Sequence, residues 1–208
     1  MSVVITPDSA TWTKVQADLF GFSSQANKAL SRALNKTAAW ANTRTIRAIT
    51  DHINIKRSDI TGNVHRYGGV TLRKSTETTL TAQVSVTGRR IPLAAFGGKP
   101  IAPPTPNGVS YGILRGGGRK VISFGFVVRF ASGHTGFFKR QGKGRLPIIE
   151  LYGPSIPEVA LTSPDLTNAL KVDLGPRLDL QLGREVNFIL TGNSAGGAGS
   201  DAVPEDVE

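Results

Sequence analysis

The side chains of this sequence that could do chemistry are mostly cations, and few of them have a carboxylate near them in the chain. Residues 1–149 contain 22 Lys/Arg and 5 Asp/Glu, a balance of +17, whereas residues 150–208 contain 3 and 10, a balance of −7. Between Glu77 and Glu150 there are eleven Lys/Arg and no carboxylate. Such a field repels itself unless something acidic or polyanionic lies against it. The pattern indicates a binding surface, although a solvated basic face remains the simpler alternative.

The densest cationic cluster lies between two apolar runs, Gly136–Phe138 and Leu146–Ile149. It contains Lys139, Arg140, Lys143 and Arg145, with Gly142 and Gly144 between them. Apolar runs around a short glycine-containing loop predict a β-hairpin, here with a cationic tip. Three further cations, Arg115, Arg119 and Lys120, lie in another glycine-rich loop, and Arg89 and Arg90 form an adjacent pair.

Catalysis and metal binding have little support in the sequence. The three histidines, His52, His65 and His134, are not at metal-ligand spacing, and there is no cysteine. Metal-dependent cleavage of nucleic acid needs clustered carboxylates, which the basic half lacks. The loops Leu114–Lys120 and Gly142–Arg145 lack the spaced glycines and the Lys-Ser/Thr pair of a phosphate-binding loop. We therefore expect no catalytic residue, no metal and no cofactor, and any nucleic-acid contact should be sequence-independent and salt-sensitive.

A long helix is expected to position a second set of cations. Nothing between Gln25 and Thr50 is Gly or Pro, and Ser23 or Ser24 is a plausible N-cap, so a helix to about Asp51 is predicted. Its core face consists of Ala26, Leu30, Ala33, Leu34, Thr37, Ala41 and Ala48. Lys28, Arg32 and Lys36 follow one another at steps of four on another face, and Trp40 and Arg47 continue that row. Like charges at this spacing are mildly destabilising, so the row could be retained for an anion.

The rest of the pattern predicts an antiparallel sheet between helical ends. A small helix is expected from Asp8 to Leu19 and a helical turn at Lys56–Ile60. Strands are expected at Val70–Lys74, Thr79–Thr87, Lys120–Phe130, Gly136–Arg140 and Leu146–Tyr152. Residues 88–118 read as a loop-rich excursion in which only Val109–Leu114 is extended.

The C-terminal part returns to a helical pattern. Ser163-Pro164-Asp165 is a helix start, Gly175-Pro176 is expected to interrupt the helix, and a second segment, Arg177–Leu190, should end at Gly192. Residues 193–208 are predicted to be a flexible acidic tail. The fold class is therefore α+β: one domain over residues 1–192, with a long helix at about 23–51, a sheet at about 70–152 and helices at about 163–191. With no signal peptide or membrane-spanning run, a soluble protein made in a cytoplasm is expected.

Several strings of the sequence resemble the prophage minor tail protein Z family, a lambda-type family of tail-completion or neck proteins. The similarity covers roughly residues 22 to 190 and is carried by Ser31–Ala38, Arg89–Leu93 with Phe96, Gly136–Arg140 and Leu146–Pro157. Leu146–Pro157 is the most specific of these strings. The interruption at Gly175-Pro176 and the long acidic tail depart from the family pattern and leave the path of the C-terminal region open.

The resemblance implies a structural virion protein of the bacteriophage neck, assembled in the host cytoplasm, with no enzyme activity and no cofactor. It would complete the head-proximal end of the tail as a ring, hexameric or trimeric, around a DNA channel. Its implied partners are copies of itself, the tail terminator, head-closure or connector proteins and the genomic DNA, with no membrane. The alternative from the residues alone is a sequence-independent nucleic-acid-binding protein that contacts phosphates.

Two sets of site residues follow. The set expected at subunit or ring interfaces is Arg89, Arg90, Arg115, Arg119, Lys120, Lys139, Arg140, Lys143 and Arg145. Heterologous ring contacts join one surface to a different one, so a basic half could meet an acidic half. The set expected to face DNA is Lys28, Arg32, Lys36 and Arg47.

Overall fold

The computed structural model describes residues 2–19, 23–61, 67–101, 108–162 and 164–192. The predictions made for His65, for Ser163 as part of a helix start, and for the tail at 193–208 lie outside the described residues. Over the part that is described, the chain has helices and antiparallel strands in the mixed order expected of the α+β class, so that prediction is confirmed.

Four helices are described: α1 (Ser9–Asp18), α2 (Ser23–His52), α3 (Ile156–Thr162) and α4 (Pro164–Thr191). Short 3₁₀ turns occur at Arg57–Asp59 and Leu93–Ala95. Asp8 caps α1 by accepting a hydrogen bond from the Thr11 amide (2.7 Å). Hydrogen bonding to the Thr11 side chain, and then to its amide, lowers the pKa of the Asp8 carboxyl. The long helix α2 has the predicted apolar face, because Ala26, Leu30, Ala33, Leu34, Thr37 and Ala41 are buried.

Eleven strands are described, and each is short. They are β1 (Ser2–Ile5), β2 (Gly68–Arg73), β3 (Ala82–Gly88), β4 (Arg90–Pro92), β5 (Lys99–Ile101), β6 (Gly108–Tyr111), β7 (Lys120–Ser123), β8 (Phe126–Arg129), β9 (Thr135–Arg140), β10 (Ile148–Glu150) and β11 (Tyr152–Ser155). They form sheets in the orders β1-β3-β2, β5-β6-β7, β10-β9-β8 and β11-β4. The alternation predicted for β3 is confirmed, since Ala82, Val84 and Val86 are buried.

The described residues form two compact units. We call one the hairpin unit; it comprises the described parts of Met1–Val3, Trp40–Arg73 and Val84–Lys171. The other, which we call the helical unit, comprises those of Val4–Ala39, Lys74–Gln83 and Val172–Glu208. The helical unit has a core of Ala, Leu and Val side chains from α2 and α4, whereas the core of the hairpin unit contains Ile and Phe side chains such as Ile91, Phe96 and Phe137. The expectation of one domain over 1–192 stays a prediction.

The prediction that residues 88–118 are a loop-rich excursion is wrong for part of the described chain, although the extended piece predicted at Val109–Leu114 is confirmed in part by β6 (Gly108–Tyr111). These residues contain β4, β5, β6 and the 3₁₀ turn Leu93–Ala95. Each element spans only three or four residues, which is too few for the alternation of a strand to be evident in sequence. Strand β4 is stabilised by pairing with the distant strand β11, whereas β5 and β6 belong to the sheet β5-β6-β7.

The strand predicted over Lys120–Phe130 is broken in the middle. Phe124 has φ 61°, a left-handed conformation that is unusual for a residue with a side chain, and it is 73% exposed. The preceding strand β7 pairs with β6, whereas the following strand β8 pairs with β9. The alternation of apolar residues in the sequence continues through the bend at Phe124. It therefore gave no sign that the chain passes from one sheet to another there.

The predicted interruption at Gly175-Pro176 is also wrong, since α4 continues through Pro176. Proline removes one backbone donor and disfavours a helix interior. Both Gly175 and Pro176 lie on the exposed side of the helix, and Leu178, Leu182 and Val186 are buried in the next turns. Burial of these side chains outweighs the local propensity. The predicted end at Gly192 is confirmed: it has φ 63°, and its amide donates to the Phe188 carbonyl.

Candidate interaction surfaces

The cationic hairpin exists, and its base is fixed in the hairpin unit. Strands β9 and β10 pair antiparallel with Ile148 opposite Arg140, and the Gln141 amide donates to the Pro147 carbonyl (3.2 Å) to close the loop. The buried Phe137 ring anchors β9 beside Gly98. A Cβ at Gly98 would lie 2.2 Å from that ring, so glycine is required for this close approach.

The tip of this hairpin carries cations that have no partner within the described chain. All residues from Lys139 to Pro147 are exposed, including Leu146, which is 72% exposed. Lys139, Lys143 and Arg145 make no ion pair or hydrogen bond with the residues that the structure describes. Arg140 differs, because its guanidinium lies 5.7 Å from the centroid of the Phe126 ring, within cation–π range. We call Lys139, Lys143 and Arg145 the hairpin tip cations.

The second predicted basic loop contains cations with different roles. The Arg119 guanidinium donates to the carbonyls of Gly97 and Ser110 and to the Ser110 hydroxyl, each at 3.0 Å. Arg119 therefore holds its loop against β6 and is not available to a partner in this arrangement. Arg115 and Lys120 are exposed. Arg89 and Arg90 are exposed too, and the charge of Arg89 acts on Tyr152, where it tends to lower the tyrosine pKa.

Glu150, the first carboxylate after the basic stretch, bonds to two side chains of the hairpin unit. Its Oε1 lies 2.8 Å from His134 Nε2, and its Oε2 accepts a 2.6 Å bond from the Tyr152 hydroxyl. That bond and partial burial raise the pKa of Tyr152, because the neutral phenol is the form that donates. Gly136 leaves room for the carboxylate, since a Cβ there would lie 2.5 Å from Glu150 Oε1.

The row of cations on α2, which we call the α2 row (Lys28, Arg32 and Lys36), is partly neutralised within the helical unit. Lys36 Nζ lies 2.5 Å from Glu185 Oε1, and Arg32 Nη1 lies 3.8 Å from Glu185 Oε2. The Glu185 side chain is only 5% exposed, whereas those of Arg32 and Lys36 are 45% and 57% exposed. Two cations therefore reach from the surface to one buried carboxylate. Lys28 is exposed, as is Arg47, which belongs to the hairpin unit.

Sequence reasoning identified the cations but missed the groups that engage them. Glu185 shows no distinctive spacing in the sequence, and a helical wheel of α4 that continued through Pro176 would have placed it on the buried side with Leu178 and Leu182. The hydrogen bond that Tyr152 donates to Glu150 joins residues two positions apart in the chain, and no sequence motif indicated it. The sequence analysis included Glu150 and Glu185 only in the net negative charge of residues 150–208.

A cleft of about 1160 Å³ also lies in the hairpin unit. Its lining includes Lys56, Arg57, Asp59, Arg115 and Phe126. No motif in the sequence indicated it, because its walls come from separate short elements. Within the described ranges, there is no cluster of three or more His, Cys, Asp or Glu that could hold a metal ion. Among the described helices, none is long and apolar enough to cross a membrane.

Comparison with known proteins gives one match. A family model described as Prophage minor tail protein Z (GPZ) matches residues 15–191. The matched range includes the hairpin of β9 and β10, the basic loop Leu114–Lys120, the α2 row and Glu185. No curated protein and no solved structure matches the chain significantly.

Proposed function

Because this chain belongs to the prophage minor tail protein Z family, whose members are structural phage tail proteins, we propose that it completes the head-proximal end of the tail. In this proposal it is a virion protein of the phage neck that joins tail to head around the DNA channel. It acts as a ring of identical subunits, with six more favoured than three, beside the tail terminator and the head-closure or connector proteins.

The observation that carries the proposal is the set of hairpin tip cations. Lys139, Lys143 and Arg145 project from a rigidly anchored hairpin into solvent, and no described carboxylate pairs with them. Exposed charges of this kind contribute little to the stability of the chain itself, so their physical use lies in contact with another molecule. Together with Arg115 and Lys120 they form the proposed contact to a neighbouring subunit or an adjoining ring.

The α2 row supports a weaker part of the proposal, the contact with DNA. Pairing of Arg32 and Lys36 with Glu185 removes one unit of positive charge from the row but leaves it cationic. Lys28 and Arg47 retain their full charge. A channel that passes DNA needs a diffuse positive or neutral wall and no base-reading groups, and exposed cations that reach only phosphates would meet that need. A reconstruction of the assembled neck that put Lys28, Arg32 and Lys36 on its outer wall would reject this assignment.

The test compares how substitutions in the hairpin tip cations and in the α2 row affect formation of the ring. The mass of the purified chain is measured under native conditions, alone and mixed with its tail terminator, for the wild type, for Lys143→Glu/Arg145→Glu, and for Lys28→Glu as the control. We expect a defined ring for the wild type and for Lys28→Glu, and a loss of at least tenfold in ring population for the double variant. A wild-type chain that stays monomeric in both mixtures contradicts the proposal.

Localisation in particles gives a second test. The chain, tagged and visualised in intact virions, should lie between head and tail, and particles that lack it should accumulate as separate heads and tails. A label at the distal end of the tail would reject the neck position while leaving the family unaffected.

A second function, sequence-independent nucleic-acid binding by the free chain, is favoured by the same eleven cations without a carboxylate between Glu77 and Glu150. It predicts that the monomer binds unrelated duplexes equally and that the logarithm of affinity falls linearly with the logarithm of salt concentration. Binding that requires the ring would favour the neck function instead.

A further inference from the structure

Fewer carboxylates are available on this chain than its sequence suggests. Glu150 is bonded to His134 and Tyr152, and Glu185 is buried against Lys36 and Arg32. Glu158 accepts a bond from the Ser155 amide (3.3 Å), while its own amide donates to the Ser155 hydroxyl (3.4 Å), which is the reciprocal capping box of α3. These three acidic groups already have bonding partners within the chain.

The remaining carboxylates are most closely spaced in residues 201–208 and are more widely spaced elsewhere in the sequence. Residues 201–208, which we call the acidic segment, contain Asp201, Glu205, Asp206 and Glu208 and no Lys or Arg. No stretch of eight residues before position 193 contains more than two carboxylates. On the described part of α4, Asp173 and Asp179 lie six residues apart and are separated by nearly two turns. The acidic segment is therefore the densest cluster of carboxylates in the sequence.

The basic side of the molecule is reduced in the same way. Arg119 is bonded to Gly97 and Ser110, Arg140 lies over Phe126, and Arg32 and Lys36 share Glu185. Three cations within seven residues, the hairpin tip cations, remain exposed: Lys139 at the end of β9, and Lys143 and Arg145 in the loop that contains Gly142 and Gly144. A Cβ at Gly142 would have no atom within 4 Å. An open loop with closely spaced cations can accept an extended acidic peptide without steric obstruction.

We propose that the acidic segment of one copy docks on the hairpin tip cations Lys139, Lys143 and Arg145 of a neighbouring copy. The last described residue is Gly192, so the segment begins nine residues later and could reach about 30 to 50 Å at roughly 3.4 Å per residue. A contact between two different surfaces of identical subunits is heterologous, which is the kind that builds a closed ring. The inference rests on the ring of the proposed function and names the segment that links its subunits.

Zero-length carbodiimide cross-linking of the full chain tests this, since it joins a carboxylate to a lysine amine only when the two can form an ion pair. Chains labelled with ¹⁵N are mixed with unlabelled chains before cross-linking, and the linked peptides are identified by mass. We expect peptides in which a carboxylate of residues 201–208 from one isotope is joined to Lys139 or Lys143 of the other. Their yield should fall at least tenfold in high salt, because exposed ion pairs are screened.

Matched variants distinguish loss of the lysine amines that the cross-linker requires from loss of the charges that would hold the ring together. Lys139→Arg/Lys143→Arg keeps the charge, so it should abolish these cross-links and leave the native mass of the ring unchanged. Asp201→Asn/Glu205→Gln/Asp206→Asn/Glu208→Gln should abolish the cross-links and reduce the ring population at least tenfold. Lys14→Arg, at an exposed position of α1 outside both site sets, should change neither.

Three results would overturn the inference. Cross-links from the acidic segment could spread evenly over exposed lysines such as Lys28, Lys99 and Lys120, they could form only within one chain, or a ring could form without any of them. In each case a ring that is still detected by native mass leaves the neck function standing. A chain that never associates would instead contradict the proposed function itself.

Discussion

The α2 row and the hairpin tip cations are similar clusters of positive charge in sequence, yet they differ in what their charges do. On the α2 row, Lys36 and Arg32 converge on a buried carboxylate, Glu185, and so contribute to the packing of the helical unit. At the hairpin tip, Lys139, Lys143 and Arg145 are exposed and have no partner among the described residues. A count of charges cannot separate a cation that holds the fold from one that is available to another molecule. The position of the nearest carboxylate distinguishes these two kinds of cation.

The largest effect on stability should come from removing a cation on the α2 row. Lys36→Ala leaves Glu185 buried with Arg32, at 3.8 Å, as its remaining cationic partner. We expect the free energy of unfolding to fall by about 2 to 3 kcal/mol, because the cost of burying the Glu185 charge is then no longer offset by Lys36. Lys143→Ala should change it by less than about 0.5 kcal/mol, as expected of an exposed residue. Urea denaturation measures both.

The control for this prediction is a double-mutant cycle. Glu185→Gln removes the buried charge, so Lys36→Ala should cost less in that background, with a coupling energy of at least about 1 kcal/mol. Equal losses for Lys36→Ala and Lys143→Ala, or no coupling with Glu185→Gln, would show that the two regions do not differ in the way argued above.

A second prediction compares the base of the hairpin with its tip. Gly98→Ala would force a Cβ into the Phe137 ring and should destabilise the chain by about 2 kcal/mol, as overpacking of a core does. Gly142→Ala, in the open loop, should cost less than about 0.5 kcal/mol. Thermal unfolding followed by circular dichroism would distinguish them. Similar melting temperatures for the two variants would mean that the hairpin is not anchored by Phe137.

The same comparison recurs within the second basic loop. Arg119→Ala removes three hydrogen bonds to Gly97 and Ser110, and because the site is exposed we expect a loss of about 1 kcal/mol. Arg115→Ala, four residues away, should have a negligible effect on stability and should weaken assembly instead. The free energy of unfolding and the native mass are measured for both variants. An Arg119→Ala chain that is fully stable but fails to assemble would reverse the two roles.

How far the sequence predicts these regions depends on the length of each element. The 30-residue helix α2 and its buried face were predicted closely, because a long uninterrupted 3.6 period averages out local exceptions. The hairpin was predicted too, since β9 and β10 are neighbours in the chain. Strands β4 and β5 were missed, because three residues carry almost no periodic signal, and the pairing of β4 is decided by the distant strand β11.

The errors at Phe124 and Pro176 have opposite causes. At Phe124 a regular apolar alternation continued through a bend that only the tertiary structure requires, so the pattern predicted one strand where there are two. At Pro176 a strong local signal predicted a break, but the buried residues that follow keep the helix continuous. Glu185 lies beyond that false break. This is why its pairing with Lys36 was not predicted when the α2 row was interpreted as one that could be retained for an anion.

The smallest predicted effect concerns Glu150, the carboxylate that is used locally in the hairpin unit. Tyr152→Phe removes the 2.6 Å bond to Glu150 and should cost about 0.5 to 1 kcal/mol at neutral pH. The pKa of Tyr152 is raised in the fold above its usual value of 10.0, so the neutral phenol is the stabilised form. Its contribution is therefore complete below pH 10 and is lost as the pH rises through the folded pKa. The difference in unfolding free energy between wild type and Tyr152→Phe should stay constant from pH 7 to about 9 and shrink above pH 10. A difference that persists undiminished at higher pH would show that the phenol bond to Glu150 is not its source.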